Sequence, residues 1–460
     1  MASGVLRQFL ASFCINISVF IAGNTLGWPS PVLYSIQKTG QPMNMSHSES
    51  GLMVSMLYIG NFISPIPSGA LMDMIGRKMT IHVLTVIPMA SWVMVYFAKQ
   101  PIVLHLSRLL AGSWLGTVIT VIPTYVGEVS EPKVRGAFST FFQLMANVGV
   151  LYAYIIGPLV DYHMFTIILG SVPIIFVILM FYLPESPYWL TKKGEHDKAA
   201  KALSWLRGKP VEEIKKELSE IEDAVTADSR RSTSYRELVA TRGNRKAFMM
   251  VEVIAITQRA SGISALMAYV STSLPEEGPM KPNECVIVIG FVLFFSVFMS
   301  TSLVDRSGRR PLLMISSWGC ALFMFLAALW FFLDAKTDVG AREFAWVPFV
   351  AMIGYSFSYC VGLGPLQTTI QGEVFPTNTK GHASGITAMV LALVSFGSNI
   401  FYLQIADSVG MYMNFVIFTL SSVIAALFVQ FFVIETKGRS LHQIQKELNE
   451  KKLKLLSPVA

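Results

Sequence analysis

The chain has 460 residues, of which 53% are hydrophobic and 14% charged, against roughly 45–50% apolar and about 25% charged in an average soluble domain. With 31 Phe, 24 Met and 8 Trp and a mean hydropathy of +0.54, too few polar residues remain to clothe a water-facing surface, and a soluble globular protein is excluded. The net charge of +7 would suggest nucleic acid in a soluble chain, but the placement of the cations accounts for it, and no nucleic-acid partner is expected.

A spanning helix needs about 20 apolar residues. The opening MASGVLRQFLASFC runs into an apolar stretch that is too long for a signal peptide and lacks its small-residue cleavage pattern, so the first transmembrane helix is predicted at 10–33. Further apolar runs predict spans at 51–72, 79–98, 102–127, 137–160 and 164–183. From Glu185 to Lys246 the composition turns to Lys, Arg, Glu and Ser, with amphipathic stretches such as EHDKAAKALSWLRG and PVEEIKKELSEIEDAV, predicting a linker with short surface helices. A second set of spans follows near 247–274, 284–304, 311–333, 344–374, 382–406 and 410–433. The expected fold is an all-α membrane protein of twelve transmembrane helices. It comprises an N-terminal six-helix bundle at 1–184, a cytoplasmic helical linker at 185–246, a C-terminal six-helix bundle at 247–433 and a cytoplasmic tail at 434–460.

An even number of spans puts both termini and the linker on one side. Of the 36 Lys and Arg residues, 29 fall on that side and five on the other, with Arg108 and Arg259 inside the membrane. By the positive-inside rule that side is cytoplasmic. Asn44-Met45-Ser46 is then a glycosylation sequon in the first outer loop. Cys14, Cys285, Cys320 and Cys360 have no paired spacing, so neither a disulfide framework nor a zinc site is expected. No Gly-rich phosphate loop, metal-ligand cluster or nucleophile with a base at workable spacing is found, so neither an enzyme nor a cofactor is expected.

Laying the halves side by side shows an internal repeat. GALMDMIGRK after the second span and SLVDRSGRR after the eighth place Asp73, Gly76, Arg77 and Lys78 in the same spacing as Asp305, Gly308, Arg309 and Arg310, offset by 232 residues. Glu128 precedes Arg135-Gly136 as Glu373 precedes Lys380-Gly381, and the sixth and twelfth spans end in PESPYWL and IETKGRSL, which supply Glu185 and Glu435. Three paired motifs in one order mean two homologous halves, an arrangement that transporters use to build a midplane site between rocking bundles. A carboxylate at one helix end facing a cation in a neighbouring loop makes charge-assisted bonds that form and break as bundles close and separate. As isolated copies these motifs reduce to topology signals and helix caps, worth about 0–1 kcal/mol when exposed. Their repetition in register favours a two-state gate.

These residues, from about Gly23 to Leu441, resemble the sugar porter family of the major facilitator superfamily, and are similar to animal facilitative glucose transporters and arthropod trehalose-transporter-like proteins. The resemblance rests on GALMDMIGRK, SRLLAGSWLGTVITVIPTYVGEVSEPKVRG, PESPYWL, DRSGRRPLL, GLGPLQ, GEVFP and ETKGRSL. It implies alternating access and a small-molecule solute, a sugar such as a hexose or trehalose. It also implies a plasma-membrane location, with a monomer sufficient. In the family a fifth-span Gln contacts sugar, here Gln143. The seventh-span pattern Gln-Gln-x-Ser-Gly-Ile-Asn becomes Gln258-Arg259-Ala260-Ser261-Gly262-Ile263-Ser264, and the tenth-span Pro-Ile-Pro-Trp becomes Pro365-Leu366-Gln367-Thr368. The eleventh-span Asn positions of the family fall on Leu391 and Ser395. Gln143, Gln258, Arg259, Ser264, Tyr269, Gln367 and Thr368 are therefore the candidate substrate-binding residues, with the C-terminal half of the site rewritten.

An uncharged polyol needs amides that donate and accept, and an aromatic face for its C–H surface. Gln143 and Gln258 fit this or serve as interhelical hydrogen-bond glue. Arg259 is a charge costing about 2.5–3.5 kcal/mol at a helix centre. It is either a cavity cation for an anionic solute or a structural Arg satisfied by carbonyls or by Glu252, about 10 Å of helix rise away. Proton-coupled members of the family carry an Asp in the first span where this chain has Asn24, which implies facilitative movement. Two alternatives stand beside a facilitative sugar transporter: a porter of another, possibly anionic, solute, and a transport-deficient sensor. The intact gate motifs argue against the sensor.

Overall fold

The computed structural model describes residues 2–229, 236–337, 340–375 and 377–449. Among them no strand occurs, and two compact units are formed, one from residues 1–45 and 52–232, the other from residues 46–51 and 233–460.

The first unit is built on α1 (Ala2–Gly27), α2 (Pro29–Thr39), α3 (His47–Ile63) from its residue 52 onward, α4 (Pro65–Ile75), α5 (Arg77–Leu84), α6 (Val86–Tyr96), α7 (Pro101–Val129), α8 (Pro132–Ile156) and α9 (Tyr162–Met180). Three linker helices follow: α10 (Pro187–Lys192), α11 (His196–Arg207) and α12 (Val211–Ser229). The second unit contains α13 (Glu237–Ala240), α14 (Arg242–Ala260), α15 (Ile263–Ser273), α16 (Pro282–Ser307), α17 (Arg309–Lys336), α18 (Trp346–Val361), α19 (Leu363–Val374), α20 (Thr377–Ile400), α21 (Tyr402–Ser408), α22 (Met411–Phe432) and α23 (Leu441–Asn449).

Among the described residues, eleven stretches are long and apolar enough to cross a membrane. The twelfth expected span, 51–72, is formed by α3 and α4, which meet at Ser64. Pro65 lacks the N–H that would continue the helix, and its ring crowds the carbonyl four residues back. The first span also starts earlier than expected, at Ala2, and breaks at Trp28 before Pro29. The seventh breaks between α14 and α15 at Gly262, whose φ of 102° lies in the left-handed region, and the tenth between α18 and α19 at Gly362. Discontinuous spans of this kind are where transporters expose backbone polar groups to solutes.

Chain ends of the helices are set by local chemistry. Asp161 caps α9 by accepting from the N–H groups of His163 and Met164 at 3.1 and 3.4 Å, and Thr241 caps α14 through Asn244 N–H at 3.0 Å. Lipid-facing positions are large and apolar, such as Ile174, Ile175 and Ile178 on α9. Inside the first unit, Trp114 is fully buried and donates from Nε1 to Ser18 O at 3.1 Å. Helix α7 packs on α3 without room for side chains: a Cβ at Gly112 would collide with the Leu57 carbonyl. Such close backbone approach is how helices associate where apolar burial offers no net driving force.

Candidate functional site

The first unit gathers the motif residues around the turn at Gly76 into one ionic cluster. Gly76, with φ 106°, turns the chain so that α5 begins at Arg77, and a Cβ there would strike the Glu185 carboxylate. Glu185 accepts from the backbone N–H groups of Arg77 and Lys78, each at 3.0 Å, and Met79 at 3.2 Å, an anion seated on a helix N-terminus. The Arg77 side chain is buried and donates from Nε and Nη2 to Glu128 at 2.9 Å each. Its Nη1 reaches Met72 O at 3.1 Å and Asp73 Oδ1 at 3.2 Å. Ser186 Oγ donates to Glu128 Oε2, which also accepts from Arg77 Nε.

The second unit repeats the arrangement. Gly308, φ 88°, starts α17, and Glu435 accepts from Arg309 N–H at 3.0 Å and Arg310 N–H at 3.1 Å. Arg309 donates from Nε and Nη2 to Glu373 Oε1 at 3.0 and 2.8 Å. Burial alone would raise the Glu435 carboxyl, but the N–H groups of Lys437, Arg309, Arg310 and Thr436 hold it below the usual carboxylate value. The side chain of Asp305 lies outside the described residues.

Each cluster closes within its own unit, a point that motif spacing does not reveal. Arg135 Nη2 reaches Ser130 O at 3.3 Å and Lys380 Nζ reaches Gly372 O at 3.3 Å; the carboxylates of Glu128 and Glu373 are held by Arg77 and Arg309 instead. Lys78 Nζ lies 3.5 Å from Phe181 O, and Arg310 Nη2 donates to Gln430 O at 2.6 Å.

The candidate solute residues divide into several environments. On α8, Gln143 is exposed and donates to Asn147 Oδ1 at 3.1 Å. On α14, Gln258 is buried and donates from Nε2 to the carbonyls of Leu363 at 2.8 Å and Gly364 at 3.0 Å, so its amide ties the end of α14 to the start of α19. Among the described residues, the buried Oε1 of Gln258, Nε of Arg259 and Oγ of Ser264 have no hydrogen-bond partner. Thr368 is exposed, with its hydroxyl turned back to Pro365 O at 3.0 Å. Tyr269 is committed to packing: it is fully buried, stacks on Tyr402 with ring centroids 4.7 Å apart and donates to Asn399 O at 3.1 Å.

Glu252 is not the partner of Arg259, since no ion pair joins them among the described residues. Its Oε1 lies 2.6 Å from the Thr387 hydroxyl, and its Oε2 has no partner among the described residues. The chain continues through Gln371 Nε2, which reaches Thr387 Oγ1 and Ser384 Oγ at 3.2 Å each, to Gln367 Nε2, which donates to Gln371 Oε1 at 3.2 Å. Sequence reasoning passed over Gln371, Ser384 and Thr387. Their signal is polar residues at i, i+4 (Gln367, Gln371) and i, i+3 (Ser384, Thr387) inside apolar spans, where polar side chains need a partner.

In the first unit, Asn24 is fully buried with both side-chain amide atoms lacking a partner among the described residues. The Arg108 guanidinium lies 5.4 Å from the Trp28 ring centroid, a cation–π contact in a desolvated setting. Asn44 is exposed in the loop between α2 and α3.

Two homologous sets of transmembrane helices, broken spans with unsatisfied polar groups and duplicated carboxylate–arginine clusters define a membrane transporter of the major facilitator fold. Residues 8–448 match the family described as sugar (and other) transporter, and the chain belongs to that family. It is 28% identical over 442 residues to the facilitated trehalose transporter Tret1 of Bombyx mori, covering 96% of this chain and 86% of that one. It is 28% identical to the protein of the same name from Apis mellifera ligustica, covering 95% and 88%. Against the Tret1 of Drosophila mojavensis, at 27% identity, it spans about half, 51%, of the longer relative. The fold is similar to the inward-open conformation of the E. coli xylose transporter XylE, with a TM-score of 0.80 at 19% identity over 96% of this chain and 99% of that one.

Proposed function

We propose that this chain is a facilitative transporter of a sugar such as a hexose or trehalose, working by alternating access in the plasma membrane with both termini cytoplasmic. The observation that carries the reading is the duplicated cluster: Arg77 with Glu128 and Glu185, and Arg309 with Glu373 and Glu435, have the same chemistry at equivalent positions. Matched clusters within each unit, at equivalent helix ends, fit two homologous bundles that are each held rigid, as a rocking-bundle transporter requires. The relatives named as facilitated trehalose transporters support the solute class. Asn24 supports uniport, since an amide at that position carries no titratable proton.

The solute side chains in this reading are Gln143 in the first unit and, in the second, Gln258, Ser264, Gln367 and Thr368, which offer amide and hydroxyl groups. Uptake of labelled trehalose, glucose and xylose into liposomes holding the purified protein tests it. Equilibration without accumulation, unchanged by a protonophore at fixed pH, is expected. Accumulation abolished by the protonophore overturns uniport. Absence of flux for every sugar, with uptake of an organic anion, favours a second reading in which Arg259, whose Nε has no partner among the described residues, receives an anionic solute.

A further inference from the structure

A cavity of about 430 Å³ lies in the first unit where α9 meets the linker helices, within the range of small-molecule clefts, about 300–1,000 Å³. Lys78, Lys198 and Lys201 line it, over a floor that includes Leu190, Ala202 and Trp205. We propose that this pocket binds the phosphate-bearing headgroup of an anionic membrane lipid.

Three observations carry the assignment. First, the positive charge is poorly compensated. Glu185, the carboxylate in the lining, faces Lys78, so it offsets one of the three ammonium groups. Lys198 pairs with Glu195 at 2.8 Å, while Lys201 has no carboxylate within ion-pair distance among the described residues. Second, the pocket sits at the bilayer edge. Helix α9 presents Ile174, Ile175 and Ile178 outward, and Phe181 and Tyr182 just beyond it are 69% and 77% exposed, as expected of aromatic residues at the headgroup level. Third, the lining is mixed. Ammonium groups suit a phosphate as point charges, and the apolar floor suits the glycerol and first methylenes attached to it, which a free phosphate lacks. The leaflet rests on the proposed cytoplasmic placement of the linker, the side on which anionic lipids gather.

Binding is tested on the full chain in detergent, with no need for transport, so that failure here is distinct from failure of the transport reading. The probes are short-chain phosphatidic acid, phosphatidylcholine of the same chain length and inorganic phosphate, and the readouts are thermal shift and retained lipid by native mass spectrometry. Phosphatidic acid should bind saturably and raise the melting temperature, whereas the other two should not. Lys198→Gln with Lys201→Gln should weaken phosphatidic acid binding by roughly ten-fold or more. Lys215→Gln with Lys216→Gln, which removes the same charge from exposed positions on α12, should leave it unchanged. Equal weakening by the two double variants would reduce the effect to diffuse attraction and overturn the pocket. An equal response to inorganic phosphate would overturn a lipid source, and no response to phosphatidic acid would overturn the site.

Discussion

Arg77 engages both oxygens of Glu128, with Nε 2.9 Å from Oε2 and Nη2 2.9 Å from Oε1, whereas Arg309 directs Nε and Nη2 to the single oxygen Oε1 of Glu373. The first pair is also drier: its side chains are 5% and 14% exposed, against 15% and 27% for the second. Removing one member of a buried pair leaves an uncompensated charge and costs about 3–5 kcal/mol, while wetter pairs are screened. Arg77→Gln should therefore lower the melting temperature of the purified protein more than Arg309→Gln. Equal losses, or a larger loss at Arg309, would show that the desolvation difference does not govern the two clusters.

The hydroxyl of Thr387 has one proton and two acceptors in reach, Glu252 Oε1 at 2.6 Å and Ala383 O at 2.9 Å. Thr387→Val removes the donor to a buried carboxylate and should destabilise by about 1–3 kcal/mol. Glu252→Gln keeps an oxygen at the same place without the charge and should be neutral or stabilising. The double variant should then lose less than the sum of the two single changes, because the groups share one bond. Additive losses in chemical denaturation would separate the two residues energetically.

Much of the fold is legible because the bilayer imposes one rule on every span: about 20 apolar residues with all backbone groups bonded within the helix. Breaks within spans are less legible. Pro65 announces the one at Ser64, but Gly262 and Gly362 stand among many glycines, and only the backbone shows which of them interrupts a helix. The duplicated motifs name residues that each unit gathers into a cluster, but spacing does not name their pairs. Spacing sets Glu128 near Arg135 along the chain, whereas the fold brings Arg77 to it across 51 positions. The chain from Gln367 to Glu252 escaped because its members come from three separate spans, each contributing one or two polar residues that look incidental alone. Tyr269 shows why an aromatic beside a binding motif is ambiguous in sequence, since the same ring serves for stacking on Tyr402 as for facing a solute.

Acid sensitivity should report on Glu435. Its carboxyl is held below the usual carboxylate value, burial working against four backbone N–H groups that prevail. A depressed folded value contributes stability that is fully present above the unfolded value, about 4.3 for Glu, and is lost as pH falls through the folded one. The difference in melting temperature between wild type and Glu435→Gln should hold steady from neutral pH down to that value and shrink in stronger acid. A difference that grows on acidification would reverse the sign and remove Glu435 as the stabilised anion.

Specificity should turn on Arg259, because it sets a full charge where related sugar porters carry an amide. Glu252 is engaged with Thr387, and Arg259 Nε has no partner among the described residues, so no carboxylate among the described residues is paired with this charge. A guanidinium only donates and matches carboxylate or phosphate, whereas an amide donates to one sugar hydroxyl and accepts from another. Arg259→Gln should weaken an anionic solute and shift preference toward neutral sugars. Hydrogen bonds to charged groups are worth about 1.5–3 kcal/mol, which places the loss at roughly ten-fold or more in apparent affinity. Adding Ser264→Asn supplies an amide, and Thr368→Trp supplies an aromatic face from an exposed position on α19. The triple variant should then bind sugars more tightly than Arg259→Gln alone. A structural Arg259 gives a different pattern: Arg259→Gln lowers the melting temperature and leaves the order of preference intact. Binding of a sugar and anion panel to the detergent-purified single variant, measured with its melting curve, separates these outcomes, and an unchanged order of preference rules out a solute-facing Arg259.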